Sequence, residues 1–477
     1  MKHYLIVDLG TGNTRVALVS SRGRILGIRT FTNTYYKDEK YPDAQYFIPE
    51  EWEKEIFRCC AELHSEFPNT KVSAVSSAGA RQSIVLLDNA GKAFYGLPNI
   101  DNRGREYMEQ IQKKDEIYKL SGKWVTEDFC AAKIMGLSKL RPELYERIDK
   151  IVSISEWIAY IFTGIVAMEP SQACETELYD LEKRDWSDKL CNAYGIKKSM
   201  LPPLVSAGIK LASVHKHLIE CYGMKDDAVF IVGGADTQVA LRQAPMRSGD
   251  IAIVSGTTSP VVTLSEEKYY DPHQRIWEDA DLGGFNYLTE MNPGVTGLNY
   301  QRAKAAICPD LSYDELEKIY REKDEFQCTA SFSSLLFYEQ RSLRNGGFFM
   351  ESPFSFKVDR PDMCYAVLAD IACSVYEQLY RLIKLTENNS NYIIGFGGGF
   401  QSEALGQMIA DLSGMELRLY SGYEQATVQG LVKLCNKSFM IENEFKTQDC
   451  IIRKPKNDSL IHKYYPVWLK NRTRANS

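Results

Sequence analysis

The chain has 477 residues, 44% of them hydrophobic and 25% charged, a balance that excludes disordered, collagen-like and coiled-coil proteins. That length exceeds what one ordinary core serves, so two large lobes are expected. Lysine and arginine number 57 against 63 aspartates and glutamates, a formal charge of −6 that offers no footprint for a polyanion and excludes nucleic acid as an expected partner.

Residues 4 to 7 and 15 to 19 are apolar, β-branched runs on either side of Gly10-Thr11-Gly12-Asn13, which predicts strand, tight turn, strand. Trp52, Ile56, Phe57, Cys60, Leu63 and Phe67 recur at helical spacing over residues 51 to 67. Residues 72 to 77 and 83 to 87 read as strands, the second running into the hairpin turn Asp88-Asn89-Ala90-Gly91. A further strand, Val229 to Val232, precedes Gly233-Gly234-Ala235-Asp236. Pro245 and the turn Arg247-Ser248-Gly249-Asp250 then interrupt the pattern, so the domain boundary is expected at 244/245, dividing the chain into 1–244 and 245–477.

Beyond it, Ile251 to Val254 and Pro260 to Thr263 flank Ser255-Gly256-Thr257-Thr258-Ser259. Gly10-Thr11 and Gly256-Thr257 stand about half the chain apart, which suggests a duplicated domain; two unrelated hairpins sharing a Gly-Thr step is the alternative. Tyr365 to Leu385 reads as a long amphipathic helix, followed by the strand Tyr392 to Phe396, the run Gly397-Gly398-Gly399, and a helix from about Ser402 to Gly414. The alternation of strands and helices predicts an α/β protein with mixed sheets.

The cysteines scatter from Cys59 to Cys450 without a CxxC pair, as expected of reduced core residues in a cytosolic protein. The first apolar run is too short for a signal peptide, and no apolar stretch reaches the roughly 18 residues of a membrane helix. A cytoplasmic protein without a membrane partner is expected. His215 and His217 have strand spacing and no supporting ligands, so a metal centre is not expected there.

Several turns carry candidate chemistry. The segment Asp8 to Arg15 places a carboxylate at a strand end before a turn of small residues. Its backbone N–H groups and the Thr11, Asn13 and Thr14 side chains can reach phosphate oxygens, with Asp8 holding Mg²⁺ through water; a plain hairpin is the alternative. Ser255 to Ser259 offers a second cradle of this kind. Gly397-Gly398-Gly399-Phe400-Gln401-Ser402 lies between strand and helix, where a backbone approaches a ligand closely. Asp236 ends a strand where ligands gather in open α/β sheets; it can accept a hydroxyl proton, or merely cap the helix beginning near Thr237. Arg81-Gln82 and Asp101-Asn102-Arg103 are polar turns that suit sugar hydroxyls or a structural role equally.

In this order and spacing, Asp8-x-Gly-Thr-x-x-x-Arg15, Gly233-Gly-x-Asp236, Ser255-Gly-Thr-Thr258 and Gly397-Gly-Gly399 resemble the FGGY family of carbohydrate kinases from residue 4 to about 436. Ser155 to Tyr160 through Pro170 to Thr176, and Gly399 to Gly414, are similar to further family segments. The resemblance implies two ribonuclease H-like domains of the actin and hexokinase type, an N-terminal sugar-binding domain and a C-terminal nucleotide-binding domain, closing around ATP and a small sugar or polyol. It implies Asp236 as catalytic base and Asp8 with Asp236 at Mg²⁺. Thr11, Gly12, Asn13, Arg15, Gly256 and Thr257 would lie at the phosphates, and Gly297, Gln301, Gly398 and Ser402 near the nucleotide. Arg81, Gln82, Asp236 and Thr237 would meet the sugar, with Asp128 beside them.

Departures from the family pattern bear on the substrate. Gln82 stands where members often carry Glu, Gly136 where many carry Trp after Lys133, and Ser331 to Phe356 lacks the usual Pro-x-x-x-Gly-Glu-Arg-x-Pro. Local segments look most like the autoinducer-2 kinase branch, with xylulose kinases next. An actin- or chaperone-type ATPase that binds a protein, and a silent sugar-binding relative, are the competing readings. A homodimer is one assembly compatible with the sequence.

Overall fold

The computed structural model describes residues 1–333, 343, 345–441 and 449–476. Part of the atypical Ser331 to Phe356 stretch therefore lies outside the described residues. The first sheet has six strands in the order Lys210–Ser213, Met224–Ala235, Val72–Gly79, His3–Leu9, Asn13–Ser20 and Ile25–Thr32. The second has seven, in the order Trp277–Ala280, Tyr287–Met291, Val261–Ser265, Ile251–Val254, Tyr392–Phe396, Glu416–Tyr420 and Cys450–Arg453.

Both sheets share a local plan. His3–Leu9 forms an antiparallel hairpin with Asn13–Ser20 and pairs in parallel with Val72–Gly79. Ile251–Val254 does the same with Val261–Ser265 and Tyr392–Phe396. The Gly-Thr steps sit in the two corresponding hairpin turns, so the expected duplication is present in the topology, and the mixed α/β architecture follows the expectation. A three-stranded sheet of Ala93–Leu97, Ile84–Leu87 and Lys150–Ser153 adds to the first half.

The helix Pro49–Glu66 starts with Pro in its first turn and two acids, Glu50 and Glu51, near the positive end of its dipole. It buries Trp52, Ile56, Cys60 and Leu63 as its spacing predicts. The helix Arg360–Thr386 differs from expectation. It opens with a reciprocal cap between Asp359 and Asp362, but its buried residues occupy most sides instead of one stripe. The reason is crowding: the helices Gly297–Ile307, Glu403–Ser413 and Leu460–Asn476 all pack on it. Leu379 and Leu382 are buried there, and truncating one such leucine to Ala costs about 2–5 kcal/mol.

The C-terminal helix, absent from the sequence reading, is locked by Trp468, whose indole N–H donates to Asp370 Oδ1 at 2.7 Å. All cysteines but Cys221 and Cys450 are buried, and the twelve are unpaired. Among the described residues no helix is long and apolar enough to cross a membrane. His215 and His217 do not lie on a strand as their spacing suggested: His215 precedes the helix Lys216–Cys221, and the two rings stack at 5.6 Å.

Candidate active site

Three parallel strands end side by side in the first sheet. Asp8 is level with Ala78, which is level with Gly234; one residue on, Leu9, Gly79 and Ala235 align. Asp236 follows immediately and is partly exposed, whereas Asp8 is nearly buried. The two glycines before Asp236 have separate reasons. A Cβ on Gly233 would stand 1.8 Å from Ser77 O, while Gly234 has φ +153° and would press on Ser171 Oγ and Glu169 Oε2.

A buried polar relay fixes this strand end. Ala235 N donates to Ser171 Oγ at 3.0 Å, and Ser171 N donates to Glu169 Oε2 at 2.7 Å. The Ser171 hydroxyl also donates to Glu169, whose other oxygen accepts from Gly283 N at 2.6 Å. Gln172 Nε2 donates to Gly79 O at 3.0 Å, holding the neighbouring strand end. Asp236 itself is not a helix cap. It is the first residue of the helix Asp236–Leu241, and its Oδ1 accepts from Thr237 N at 2.7 Å. Burial raises the Asp236 pKa to about 6; the Arg81 guanidinium opposes that shift, and the Asp8 charge adds to it. Burial likewise raises Asp8, with Arg15, 3.7 Å away, pulling the other way. Thr237 is buried beside the Asp236 carboxylate.

The first hairpin turn is braced from outside. Gly10 N donates to Asn13 O at 3.1 Å, Asn33 Nδ2 to Gly10 O at 2.7 Å, and Tyr35 OH to Thr11 O at 2.6 Å. Asn99 Nδ2 donates to Thr11 Oγ1 at 2.8 Å. Gly12 and Asn13 stay exposed, and a Cβ on Gly12 would meet nothing within 4 Å. A braced turn with an open tip is the form a phosphate cradle needs.

Arg81, expected at a sugar, is engaged in the protein. Its guanidinium donates twice to Glu290, at 2.6 and 3.0 Å, and lies 3.6 Å from Glu175 and 3.8 Å from Asp279. Glu290 and Asp279 belong to strands of the second sheet, so the contact joins the two halves. Lys123 Nζ completes the cluster at 2.5 Å from Asp279 and 3.6 Å from Glu175. Burial works against charge on Glu290, but Arg81 overrides it and holds the carboxyl below its ordinary range. Burial lowers Lys123, and Asp279 overrides that to keep it charged. Gln82, at φ +64°, turns its carbonyl to Lys133 Nζ at 2.8 Å. Burial lowers the Lys133 pKa. Asp128 is raised by burial and by Glu127, and bonds Thr126 at 3.2 Å. Asp101 and Arg103 form a fully buried ion pair at 2.7 Å, a structural turn.

The second Gly-Thr turn and the glycine run are built together. Ser255 N donates to Phe396 O at 2.8 Å, and Gly399 N donates to Ser255 O at 3.0 Å. Gly397, at φ +92°, would push a Cβ to 2.3 Å from Ser255 O, and one on Gly297 would stand 2.1 Å from Gly256 O. Thr296 N donates to Thr257 O at 3.0 Å. Gly256, Thr257 and Gly398 are exposed, and a Cβ on Gly256 or Gly398 would meet nothing within 4 Å. Ser402 caps the helix Glu403–Ser413 and donates to Glu317, so its hydroxyl is already engaged. Gln301 lies exposed on the helix Gly297–Ile307.

Asp8, Arg15, Arg81, Asp236 and Thr237 thus form one group, and Gly256, Thr257, Gly297 and the glycine run another. Among the described residues no three His, Cys, Asp or Glu side chains are arranged to hold a metal by themselves. Sequence reasoning did not identify Lys123, Glu175, Asp279 and Glu290 as site residues. The available signal was acids within otherwise buried strands, as in Tyr287-Leu288-Thr289-Glu290-Met291.

Residues 3–242 match the profile of the N-terminal domain of the FGGY family of carbohydrate kinases. The putative sugar kinase YoaC of Bacillus subtilis (strain 168) is 36% identical over 98% of this chain and 96% of its own length. The autoinducer-2 kinase of Salmonella choleraesuis (strain SC-B67) is 22% identical over 87% of this chain and 83% of that protein. In fold, the chain resembles the ligand-bound xylulose kinase of Lactobacillus acidophilus, with a TM-score of 0.82 and 17% identity, covering 99% of this chain and 98% of that one. The chain therefore belongs to the FGGY family of carbohydrate kinases and is a phosphotransferase with an alcohol group as acceptor.

Proposed function

We propose that the protein transfers the γ-phosphoryl group of ATP to a hydroxyl of a small sugar, polyol or autoinducer-2-like carbohydrate, with Asp236 as general base. The observation that carries this reading is a partly exposed carboxylate at the ends of parallel strands, its pKa raised to about 6 by burial, beside Asp8 and within the field of Arg81. A carboxylate tuned that way is ionised at neutral pH yet close enough to the working pH to accept a hydroxyl proton. In this reading residues 1–244 hold the acceptor and residues 245–477 the nucleotide, and Thr237 buttresses the base.

Two carboxylates without a third protein ligand suit Mg²⁺, which binds through one or two carboxylates plus substrate phosphates and water. Asp8 and Asp236 would hold it, and the ion would supply charge neutralisation at the transferring phosphoryl group. The exposed turns at Gly12-Asn13 and Gly256-Thr257, with Thr11 and Arg15, would present N–H groups and charge to the phosphate chain. Gly297, Gly398, Gln301 and Ser402 would line the nucleotide, Ser402 by positioning a helix start. Arg81, Gln82 and Asp128 would border the acceptor.

The test is a screen of four- to six-carbon polyols, ketoses and the autoinducer-2 precursor with ATP, read by product mass, alongside Asp236→Asn. Product from the native chain, and its loss in a variant that still binds ADP, are expected. Undiminished phosphorylation by Asp236→Asn would remove Asp236 from its role.

A further inference from the structure

We infer that the acceptor is an uncharged polyhydroxy compound, and that the buried cluster of Arg81, Lys123, Glu175, Asp279 and Glu290 is what rejects sugar acids and sugar phosphates. The inference rests on the kinase reading above and narrows its substrate class.

A site for an anionic sugar needs a cation with a free face. The buried cations at the acceptor end are already occupied, and Arg15, partly exposed beside Asp8, is placed with the phosphates in the reading above. Arg81 meets Glu290 through both terminal nitrogens, at 2.6 and 3.0 Å. Lys123 is fully buried against Asp279. Lys133 is fully buried and donates to the carbonyls of Gln82 and Asn99 at 2.8 and 3.2 Å.

Acids are in surplus. Arg81 and Lys123 face Glu175, Asp279 and Glu290, and Asp128 adds a further carboxyl beside Lys133. Both Glu175 oxygens are buried and accept no hydrogen bond, so the Glu175 charge is compensated only at 3.6 Å, by Arg81 and Lys123, whereas Asp279 is met by Lys123 at 2.5 Å. A carboxylate or phosphate entering beside this cluster meets three carboxyl groups against two paired cations in a poorly screened setting. A hydroxyl meets none of that penalty. Gln82, partly exposed at the same place, adds a neutral donor and acceptor.

The experiment compares kcat/KM, read by product mass, for pairs that differ in one carboxylate: xylitol with xylonate, and sorbitol with gluconate. The uncharged member of a turned-over pair is expected to be favoured by at least about 100-fold. Glu290→Gln releases Arg81, and Glu175→Gln removes one charge without removing a hydrogen bond; each should narrow that ratio about tenfold, a single charge several ångströms away. Circular dichroism establishes that each variant is folded, and the second serves if the first does not fold. Equal or better turnover of the acid members by the native protein overturns the inference while leaving the kinase reading intact. An unchanged ratio in folded Glu175→Gln overturns the role given to the cluster. Product from neither class, across the wider screen, overturns the kinase reading and this inference with it.

Discussion

The surroundings of Arg81 and of Ser255, the proposed acceptor and nucleotide ends, are built from opposite materials. Around Arg81 the structure concentrates charge in the interior: Arg81, Lys123, Glu175, Asp279 and Glu290 are all at or near full burial. Around Ser255 it uses glycine, serine and threonine, and leaves backbone exposed at Gly256, Thr257 and Gly398. Phosphate is recognised by N–H groups that any small-residue turn supplies, whereas a particular acceptor is distinguished by side chains whose charge depends on their surroundings. The first end should therefore be sensitive to charge and the second to volume.

The largest effect falls where the two ends meet. Asp236→Asn keeps the size of the side chain and removes the base, so turnover should drop by ~10²-fold or more with ADP affinity kept. Because Asp236 must be ionised to accept a proton and its pKa is raised to about 6, native kcat/KM should fall as pH drops through that value. A pH–rate profile flat from 7 to 5 would contradict the assignment.

The second effect tests the charged end through stability. Lys123→Met leaves Asp279 and Glu175 without their nearest ammonium in a buried site, and breaking such a pair costs about 3–5 kcal/mol. Chemical denaturation should show it as a lower midpoint at unchanged slope. A loss under 1 kcal/mol would mean water reaches the cluster.

Next comes the support behind the base. Ser171→Ala removes the acceptor for Ala235 N and one donor to Glu169, a buried loss of about 1–3 kcal/mol. Because Ser171 acts on Asp236 through the backbone, kcat should fall by roughly tenfold with KM for ATP unchanged, and Ser171→Thr, which keeps the hydroxyl, should restore much of it. Equal losses in both variants would indicate packing as the cause.

The two ends also differed in how readable they were. The proposed nucleotide end was legible as structure because its logic is local: Gly256-Thr257 and Gly397-Gly398-Gly399 are contiguous, and Gly397 and Gly399 lie against Ser255 where a Cβ would not fit. Asp8 and Asp236 were legible for the same reason, each at the end of an apolar run. The charged cluster was not, because its members come from five separate segments and Arg81 and Glu290 stand 209 residues apart. In the sequence Arg81 suits a sugar hydroxyl or a structural role equally. Its partner is visible only once the strand Tyr287–Met291 is placed against the first half. The long helix Arg360–Thr386 likewise looked one-sided until the C-terminal helix, whose Pro466 obscures its helical pattern, was seen to cover it.

The smallest effect gives the sharpest contrast between fold and function within one glycine run. Gly397 is required by the fold, since its φ of +92° and the 2.3 Å approach of a Cβ to Ser255 O leave no room for a side chain. Gly398 is not: a Cβ there meets nothing within 4 Å, at ordinary φ. Gly398→Ala should therefore leave the melting temperature unchanged or slightly raised, since it reduces the freedom of the unfolded chain. If Gly398 borders the nucleotide, the added methyl should still weaken ADP binding several-fold, measured by calorimetry. Gly397→Ala should do the reverse, lowering stability first and affinity only as a consequence. Unchanged ADP affinity in Gly398→Ala would place the nucleotide away from this turn and shift the search to Gly256 and Thr257 on the facing hairpin.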